Sequence, residues 1–143
     1  MFNTVLLPVD LSNPNSVEPA LQQASEFVKS SSGTLHVISI VPDFGTAMVG
    51  NFFPKDFEKE ALQRAEEALG NFRRERIDSE IETKLHLVYG PVAEKILTTA
   101  QDIGADLIVM GSHDPERVRD FLIGTNADRV VRHSTISVLI ARG

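Results

Sequence analysis

Five short apolar runs lie along the chain, separated by polar segments in which apolar residues recur at helical spacing. The runs cover residues 4–9, 35–41, 85–89, 106–110 and 137–141. Three of them are nearly continuous in Val, Leu and Ile instead of alternating with polar residues, which is typical of strands covered on both faces. The sequence therefore predicts five strands, with at least part of their sheet buried between other layers.

Four helices are predicted between these strands, because apolar residues there repeat on one helical face. The repeating positions are Val17, Ala20, Leu21, Ala24, Phe27 and Val28 in the first segment, Phe57, Ala61, Ala65, Ala68, Leu69 and Phe72 in the second, Ile96, Leu97, Ala100 and Ile103 in the third, and Ala127, Val130 and Val131 in the fourth. We expect Gly33 to end the first helix, Gly90-Pro91 to begin the third and Gly104 to end it. Alternating strands and helices predict an α/β layer structure with a mainly parallel sheet.

One segment, residues 42–54, lacks periodicity and is long for a connection in a compact domain. It is also apolar, with Phe44, Met48, Phe52 and Phe53. Two interpretations remain open from the residues alone. The segment packs back on its own domain, or it covers a ligand or contacts a partner.

Composition narrows the class of protein. The 143 residues, 42% hydrophobic and 24% charged, fit one globular domain spanning residues 1–143. A net charge of -6 argues against nucleic-acid binding, which needs clustered Lys and Arg. The absence of Cys excludes disulfides, zinc-thiolate sites and Cys nucleophiles. With no signal peptide and no apolar run near the ~20 residues of a membrane span, we expect a cytoplasmic protein with no membrane partner.

The ends of the predicted strands are where a ligand site is expected. In open parallel sheets, ligands bind beyond the carboxyl ends of the strands, where the strand order reverses. The first run ends in Pro8-Val9-Asp10, the second contains Ile40 near its end, and Gly111 follows the fourth. If the first strand is central and the fourth lies beside it, Asp10 and Gly111 face the same crevice.

A candidate anion-binding turn precedes the fourth helix at Gly124-Thr125-Asn126. A helix N-terminus offers unpaired N–H groups and a positive dipole end, glycine allows close approach of the backbone, and threonine adds a hydroxyl. Gly111-Ser112 would form the opposite wall. The alternative is an ordinary turn, and neither the G-x-x-x-x-G-K-[ST] motif nor the G-x-G-x-x-G motif is present.

Among the polar residues, Asp10 is the strongest candidate for a ligand contact, since an acid at the end of an apolar strand seldom serves packing. Capping of the first helix is the competing role. Ser112-His113-Asp114 contains the residue types of a catalytic triad, but adjacent positions cannot align as nucleophile, base and orienting group. His36 and His86 fall inside strands and are expected to be structural.

Four stretches of the chain match a known pattern: VLLPVDLS (5–12), LHVISIVPD (35–43), DLIVMGSH (106–113) and LIGTNADRVVRHSTISVLIAR (122–142). Together they resemble the universal stress protein family. Nucleotide-binding members of the family carry Gly, two residues, Gly, nine residues, and then Gly followed by Ser or Thr. Gly111 matches the first Gly and Gly124-Thr125 the last pair, while SHDPE (112–116) resembles a subgroup with Ser-His-x-Pro at this point.

The resemblance implies a three-layer α/β/α sandwich of the adenine nucleotide alpha hydrolase-like type, with a parallel five-stranded sheet of order 3-2-1-4-5. It also implies a homodimer formed through the last strand, residues 136–142. The implied ligand is an adenine nucleotide (ATP, ADP or AMP), with or without Mg²⁺. Transferred by position, the implied nucleotide-binding residues are Pro8, Val9, Asp10, Ile40, Met110, Gly111, His113, Asp114, Arg117, Gly124, Thr125 and Asn126.

These residues carry different implied roles. Pro8, Val9 and Asp10 border the adenosine, with Asp10 near the ribose or a metal ion, and Ile40 meets adenine through its backbone. Met110, Gly111 and the Gly124-Thr125-Asn126 turn hold the ribose and phosphates. The function implied is a nucleotide-binding regulator of the stress response. The alternatives are a nucleotide-free dimerising protein that acts through partners and, less favoured, an enzyme of adenylyl chemistry; any ATP hydrolysis would be slow, since no base for water is evident.

Asp114 departs from the family pattern, because it stands where the second Gly is expected. Two charges ~5 Å apart at an effective dielectric of ~20 repel by ~3 kcal/mol, which is about a hundredfold in affinity. The repulsion is avoided if the carboxylate points outward, pairs with Arg117, or binds a metal that bridges to the phosphates. His113, beside the implied phosphates, either donates to them or serves as a polar group of the turn.

We predict that Asp114→Gly tightens the binding of ATP, because the substitution removes a negative charge beside the implied phosphates. Calorimetric titration of wild type and variant with ATP measures the change. A clear loss of affinity would instead identify Asp114 as a ligand or metal-binding residue.

Overall fold

A parallel five-stranded sheet forms the centre of the protein. The computed structural model describes residues 2–41, 57–112 and 124–142, with the side chains of residues 57 and 58 excepted. The strands are β1 (Thr4–Val9), β2 (Thr34–Val41), β3 (Glu82–Tyr89), β4 (Leu107–Gly111) and β5 (Ser137–Ala141). Their order, β3-β2-β1-β4-β5, confirms the predicted parallel sheet and the order implied by the family resemblance. Segment 42–54 lies outside the described residues, so its predicted role stays a prediction.

Within the described residues, four α-helices cover the two faces of the sheet. They are α1 (Glu18–Ser31), which follows a short 3-10 helix at Pro14–Val17, α2 (Phe57–Arg76), α3 (Val92–Asp102) and α4 (Thr125–His133). Buried residues of α1 and α2 join one core cluster, and those of α3 and α4 join another on the opposite face. The three layers predicted by the resemblance are therefore present. In the described part of the chain, no helix is long and apolar enough to cross a membrane.

Strand β1 shows why its apolar run is continuous. Val5, Leu7 and Val9 point into the cluster under α1 and α2, whereas Leu6 points into the cluster under α3 and α4. Successive side chains of a strand point to opposite faces, so a strand buried on both sides needs apolar residues at every position. Val5, Leu6 and Leu7 are each 0% exposed.

Strand β3 begins three residues before its apolar run. Glu82, Thr83 and Lys84 pair in register with β2, from Thr34↔Glu82 onward. Because β3 lies at the edge of the sheet, Glu82 and Lys84 remain exposed to solvent. The apolar pattern therefore marks only the second part of this strand.

Gly33 lies just beyond the end of the first helix, and its N–H closes that end by donating to Val28 O at 3.0 Å. Helix α1 ends at Ser31, and the left-handed residue that follows it is Ser32, with φ 55°. A Cβ atom at Gly33 would lie 2.2 Å from the carbonyl oxygen of Asn3. That same oxygen accepts a hydrogen bond from Thr34 N at 2.8 Å. Gly33 is thus required because the backbone that leads into β1 passes directly against it.

The histidines of β2 and β3 bind each other. His36 Nδ1 lies 2.8 Å from His86 Nε2, and the ring centres are 5.1 Å apart. The separation of the centres is the nitrogen distance plus about one ring radius on each side, so both nitrogens lie on the line between the centres. One imidazole therefore donates a hydrogen and the other accepts it. His36 is 7% exposed, which supports the expected structural role.

Protonation of this pair is disfavoured in the folded protein. Burial lowers the pKa of His36 most, and the charges of His86 and Lys84 lower it further, with Glu82 acting in the opposite direction. Burial also lowers the pKa of His86, followed by the charge of Lys84. The unfolded chain, with histidine pKa values of about 6.5, therefore takes up protons at a higher pH than the folded protein does.

We predict that this histidine pair adds no pH dependence to the free energy of unfolding at neutral pH. Below about pH 6.5, the pair makes the free energy of unfolding fall as the pH drops. The double variant His36→Gln/His86→Gln, which has no titrating group at either position, should lose less stability over the same range. Urea denaturation from about pH 7.5 to about pH 5.5 measures both proteins. Equal losses in wild type and variant would contradict the prediction.

Candidate functional site

The sheet divides at its carboxyl end between β1 and β4. Strands β1 and β2 stay in register along all six residues of β1. Strands β1 and β4 share only the pairs Val5↔Leu107 and Leu6↔Ile108, while β4 and β5 remain in register along all five residues of β4. Beyond Leu6, therefore, β1 continues with β2 and β4 continues with β5, which leaves a notch at the reversal of strand order.

A cavity of about 360 Å³ occupies this notch, within the range of small-molecule clefts. Its walls come from the ends of β1 and β4, the 3-10 helix, and the beginnings of α3 and α4. The lining residues are Pro8, Val9, Asp10, Ser16, Val17, Val92, Ile96, Met110, Gly111, Gly124, Thr125, Asn126 and Ala127.

Most residues selected from the sequence meet in this cavity. The eight that line it are Pro8, Val9, Asp10, Met110, Gly111, Gly124, Thr125 and Asn126. Ile40 is not among the lining residues and instead packs against the core cluster under α3 and α4. His113, Asp114 and Arg117 lie outside the described residues, so the roles given to them above remain predictions.

Five further lining residues had not been selected as site residues from the sequence: Ser16, Val17, Val92, Ile96 and Ala127. All five lie on helices that begin at the carboxyl end of the sheet. A helix after a parallel strand begins where that strand ends, so its first turn faces the same edge as the strand end. The start signal at Gly90-Pro91 therefore also marked residues that face the notch.

The carboxylate of Asp10 closes a turn at the mouth of the cavity. Its Oδ1 atom accepts hydrogen bonds from Ser12 N at 3.0 Å and from Ser12 Oγ at 2.6 Å. The carbonyl oxygen of Asp10 accepts a third from Asn13 N at 3.1 Å. Asp10 thus fixes the turn and does not cap the first helix, the competing role considered above. Both hydrogen bonds from Ser12 end on Oδ1 of the carboxylate, and neither uses Oδ2.

The N-terminus of α4 forms another wall. Gly124 precedes the helix with φ -60° and ψ 157°, and this N-cap residue has no side chain that could accept a hydrogen bond from the first turn. The first N–H groups of a helix have no acceptor within the helix and carry its positive dipole end. Because Gly124, Thr125, Asn126 and Ala127 line the cavity, these main-chain donors lie at its edge.

Gly111 lies in the wall of the cavity where β4 ends, close to the 3-10 helix. A Cβ atom at this position would lie 3.1 Å from the carbonyl oxygen of Ser16. The end of β4 and the 3-10 helix therefore approach each other closely, and a side chain here would crowd a wall of the cavity.

The cavity contains main-chain and hydroxyl donors but little side-chain charge. Of its described lining residues, only Asp10 is ionisable, and neither Lys nor Arg contributes. Within residues 2–41, 57–112 and 124–142, no three His, Cys, Asp or Glu side chains group as they would to hold a metal ion. Among the described lining residues, the donors that face an anion are therefore backbone N–H groups, hydroxyls and the Asn126 amide, and Asp10 is the one carboxylate that could hold a cation.

The fold and the notch define an α/β protein with a doubly wound parallel sheet and a small-molecule cleft at the point where the winding reverses. Sequence comparison specifies the family. The chain belongs to the universal stress protein family, whose profile matches residues 1–142.

Similar proteins match over nearly the whole chain. Universal stress protein G of Escherichia coli O157:H7 is 28% identical over 144 residues, which cover 99% of this chain and all of the relative. The solved structure of protein MJ0577 from Methanocaldococcus jannaschii has a TM-score of 0.82 at 24% identity and covers 100% of this chain and 97% of the other.

Two further solved structures of universal stress proteins contain an adenine nucleotide. One is a complex with cAMP, with a TM-score of 0.63 at 23% identity, covering 99% of this chain and 97% of the other. The second is the Archaeoglobus fulgidus protein in complex with dAMP, with a TM-score of 0.64 at 20% identity, covering 98% of both chains.

Proposed function

We propose that this protein binds an adenine nucleotide in the cavity between β1 and β4 and acts as a regulator of the stress response. The observation that carries the proposal is the convergence of the Gly111 end of β4 and the Gly124–Asn126 turn on one cavity. Both are positions of the family's nucleotide-binding pattern. The cAMP and dAMP complexes of related proteins support the class of ligand.

In this proposal the main chain holds the phosphates. The N–H groups at the beginning of α4 and at Gly111 bind the phosphate oxygens, with the hydroxyl of Thr125 as a further donor. Such a site suits a protein of net charge -6, because backbone donors and the helix dipole attract an anion without clustered Lys or Arg.

The nucleoside occupies the remainder of the cavity. Apolar side chains at Val92 and Met110 offer a surface for the base. Asp10 lies at the mouth, where Oδ2 accepts a hydrogen bond from a ribose hydroxyl or binds Mg²⁺ together with phosphate oxygens. Mg²⁺ commonly uses one or two carboxylates plus substrate phosphates, which fits a site with a single acid.

A nucleotide-free protein that acts through partners is the alternative, and Asp114 at the position of the second family Gly favours it. Two measurements separate the proposals. Purified protein is denatured and the released small molecules are analysed for adenine nucleotides, and emptied protein is titrated with ATP, ADP and AMP, with and without Mg²⁺. Neither released nucleotide nor measurable binding would reject nucleotide recognition and leave the alternative.

We predict that Gly124→Asp weakens nucleotide binding about a hundredfold while the fold is retained. The backbone angles of Gly124 suit any residue, and Asp is a favoured residue immediately before a helix. Its charge, ~5 Å from the phosphates, would cost about a hundredfold in affinity at an effective dielectric of ~20. Calorimetric titration measures the affinity, and thermal unfolding checks the fold.

Gly124→Asn is the matched control, because Asn has nearly the shape of Asp and also precedes helices well but carries no charge. It should retain more affinity than Gly124→Asp. Unchanged affinity in Gly124→Asp would place the phosphates elsewhere and reject the site.

We further propose that the protein forms a homodimer through residues 136–142. Strand β5 lies at an edge of the sheet and contains neither Pro nor a charged residue. An edge strand without such protection offers unpaired N–H and C=O groups to another chain. On the neighbouring helix, Val131 is 45% exposed.

The direction of the β5 peptide groups allows a selective test. Ala141 O accepts a hydrogen bond from Ser112 N, so the peptide groups of Ala141 face β4. Since peptide groups alternate along a strand, Leu139 also faces β4, while the N–H of Val138 points away from the sheet. A proline at position 138 therefore removes an N–H group that points away from the sheet. The N–H groups that pair β5 with β4 are unchanged.

We predict that Val138→Pro is monomeric, whereas Val138→Ala, which also loses the valine side chain but keeps the N–H, remains a dimer. Sedimentation equilibrium measures the mass of wild type and both variants. A monomeric wild type, or a Val138→Pro variant as dimeric as wild type, would reject pairing through this edge.

A further inference from the structure

The hydrogen bonds at the start of β1 show which way each of its peptide groups points. Asn3 O accepts from Thr34 N at 2.8 Å, on the side of β2. Thr4 O accepts from Asp106 N at 2.9 Å, on the side of β4. Because the peptide groups of successive residues point to opposite sides of a strand, those of Thr4, Leu6 and position 8 all face β4.

The groups that face β1 from β4 follow in the same way. Ser112 N donates to Ala141 O at 3.1 Å, so the even-numbered residues of β4 face β5. Val109 and Gly111 therefore face β1. Given the register Leu6↔Ile108, the natural partner of an N–H at position 8 is the carbonyl oxygen of Val109. Position 8 is a proline, which has no N–H.

Pro8 is unusual for its place in the sheet. Proline is confined mainly to edge strands, strand ends and bulges, because it cannot donate to a ladder, yet β1 is the central strand. The missing donor falls on the β4 side, directly after the last β1–β4 pair. On the β2 side the register continues past Pro8 to Val9↔Ser39. Pro8 also lines the cavity that begins at this point.

We propose that Pro8 is a positioning residue that keeps the nucleotide cleft open by interrupting the β1–β4 ladder. Without a donor at position 8, Val109 C=O lacks its natural partner on β1, and the ladder that would draw the ends of the two strands together stops before the cavity. This inference rests on the proposed nucleotide site. In this inference Pro8 acts because it lacks a backbone N–H, and not through contacts of its ring with the ligand.

The test compares alanine with N-methylalanine at position 8, because the two residues differ chiefly in the N–H. Each is introduced in a synthetic peptide of residues 1–23, which is joined to residues 24–143 through a Cys in place of Ala24. Desulfurisation then restores Ala24, and it acts on that Cys alone because the chain contains no other. Wild type assembled in the same way is the reference.

In the nucleotide-free chain, we expect the amide of Pro8→Ala to be protected from hydrogen exchange, as a ladder bond to Val109 requires. Pro8→Ala should bind the nucleotide roughly three- to tenfold more weakly than the N-methylalanine protein, since the ligand must displace about one main-chain hydrogen bond. The N-methylalanine protein should bind as wild type does, apart from the contacts of the missing ring. Pro19→Ala, a proline substitution in α1 outside the cavity, should bind as wild type does.

An unprotected amide at position 8, or equal affinities of the alanine and N-methylalanine proteins, overturns the inference. Failure of the proposed function is distinguishable from failure of this inference. If wild type binds no nucleotide, the proposed function falls, while exchange at position 8 still decides whether proline interrupts the ladder.

Discussion

The hydrogen-bond ladder of the central strand is the constraint on which the rest of the structure depends. Strand β1 must satisfy its peptide groups on two sides, and its neighbours β2 and β4 lead in opposite directions across the sheet. Both faces of β1 are buried, so water cannot replace a missing partner along most of its length. Where the ladder to β4 ends, after Leu6, the sheet can separate, and the proposed site lies at that separation.

The sequence predicted the layered α/β fold well because burial on both faces leaves a clear pattern, as in Val5-Leu6-Leu7. It predicted edge positions less well, since Glu82 and Lys84 are polar residues of a strand that solvent reaches on one side. The strand order itself came from the family resemblance and not from periodicity. The contact between His36 and His86 depends on the register of β2 against β3, which no pattern within either strand encodes.

The candidate site, like the fold, was predicted from the sequence only in part. Residues that follow strands, such as Asp10 and Gly111, could be found because the carboxyl ends of parallel strands meet at one edge of the sheet. Residues that close the cavity from the helices, such as Val17 and Ile96, depend on how α1 and α3 pack over the notch. The turn at Gly124 combined both signals, a glycine and a helix start, and it supplies the donors that make anion binding physically reasonable in an acidic protein.

The short hydrogen-bond ladder between β1 and β4 affects how firmly β4, α4 and β5 are attached to the rest of the protein. Two register pairs and the hydrogen bonds between Asp106 and Asn3-Thr4 connect the start of β4 to β1, and beyond them the unit formed by β4, α4 and β5 is held by packed side chains such as Ile108 and Val130. Dispersion contacts are weakly directional, whereas ladder bonds fix both distance and angle. A tilt of this unit as a rigid body therefore sacrifices few main-chain bonds, and the width of the cleft is coupled mechanically to the orientation of the outer edge of the sheet.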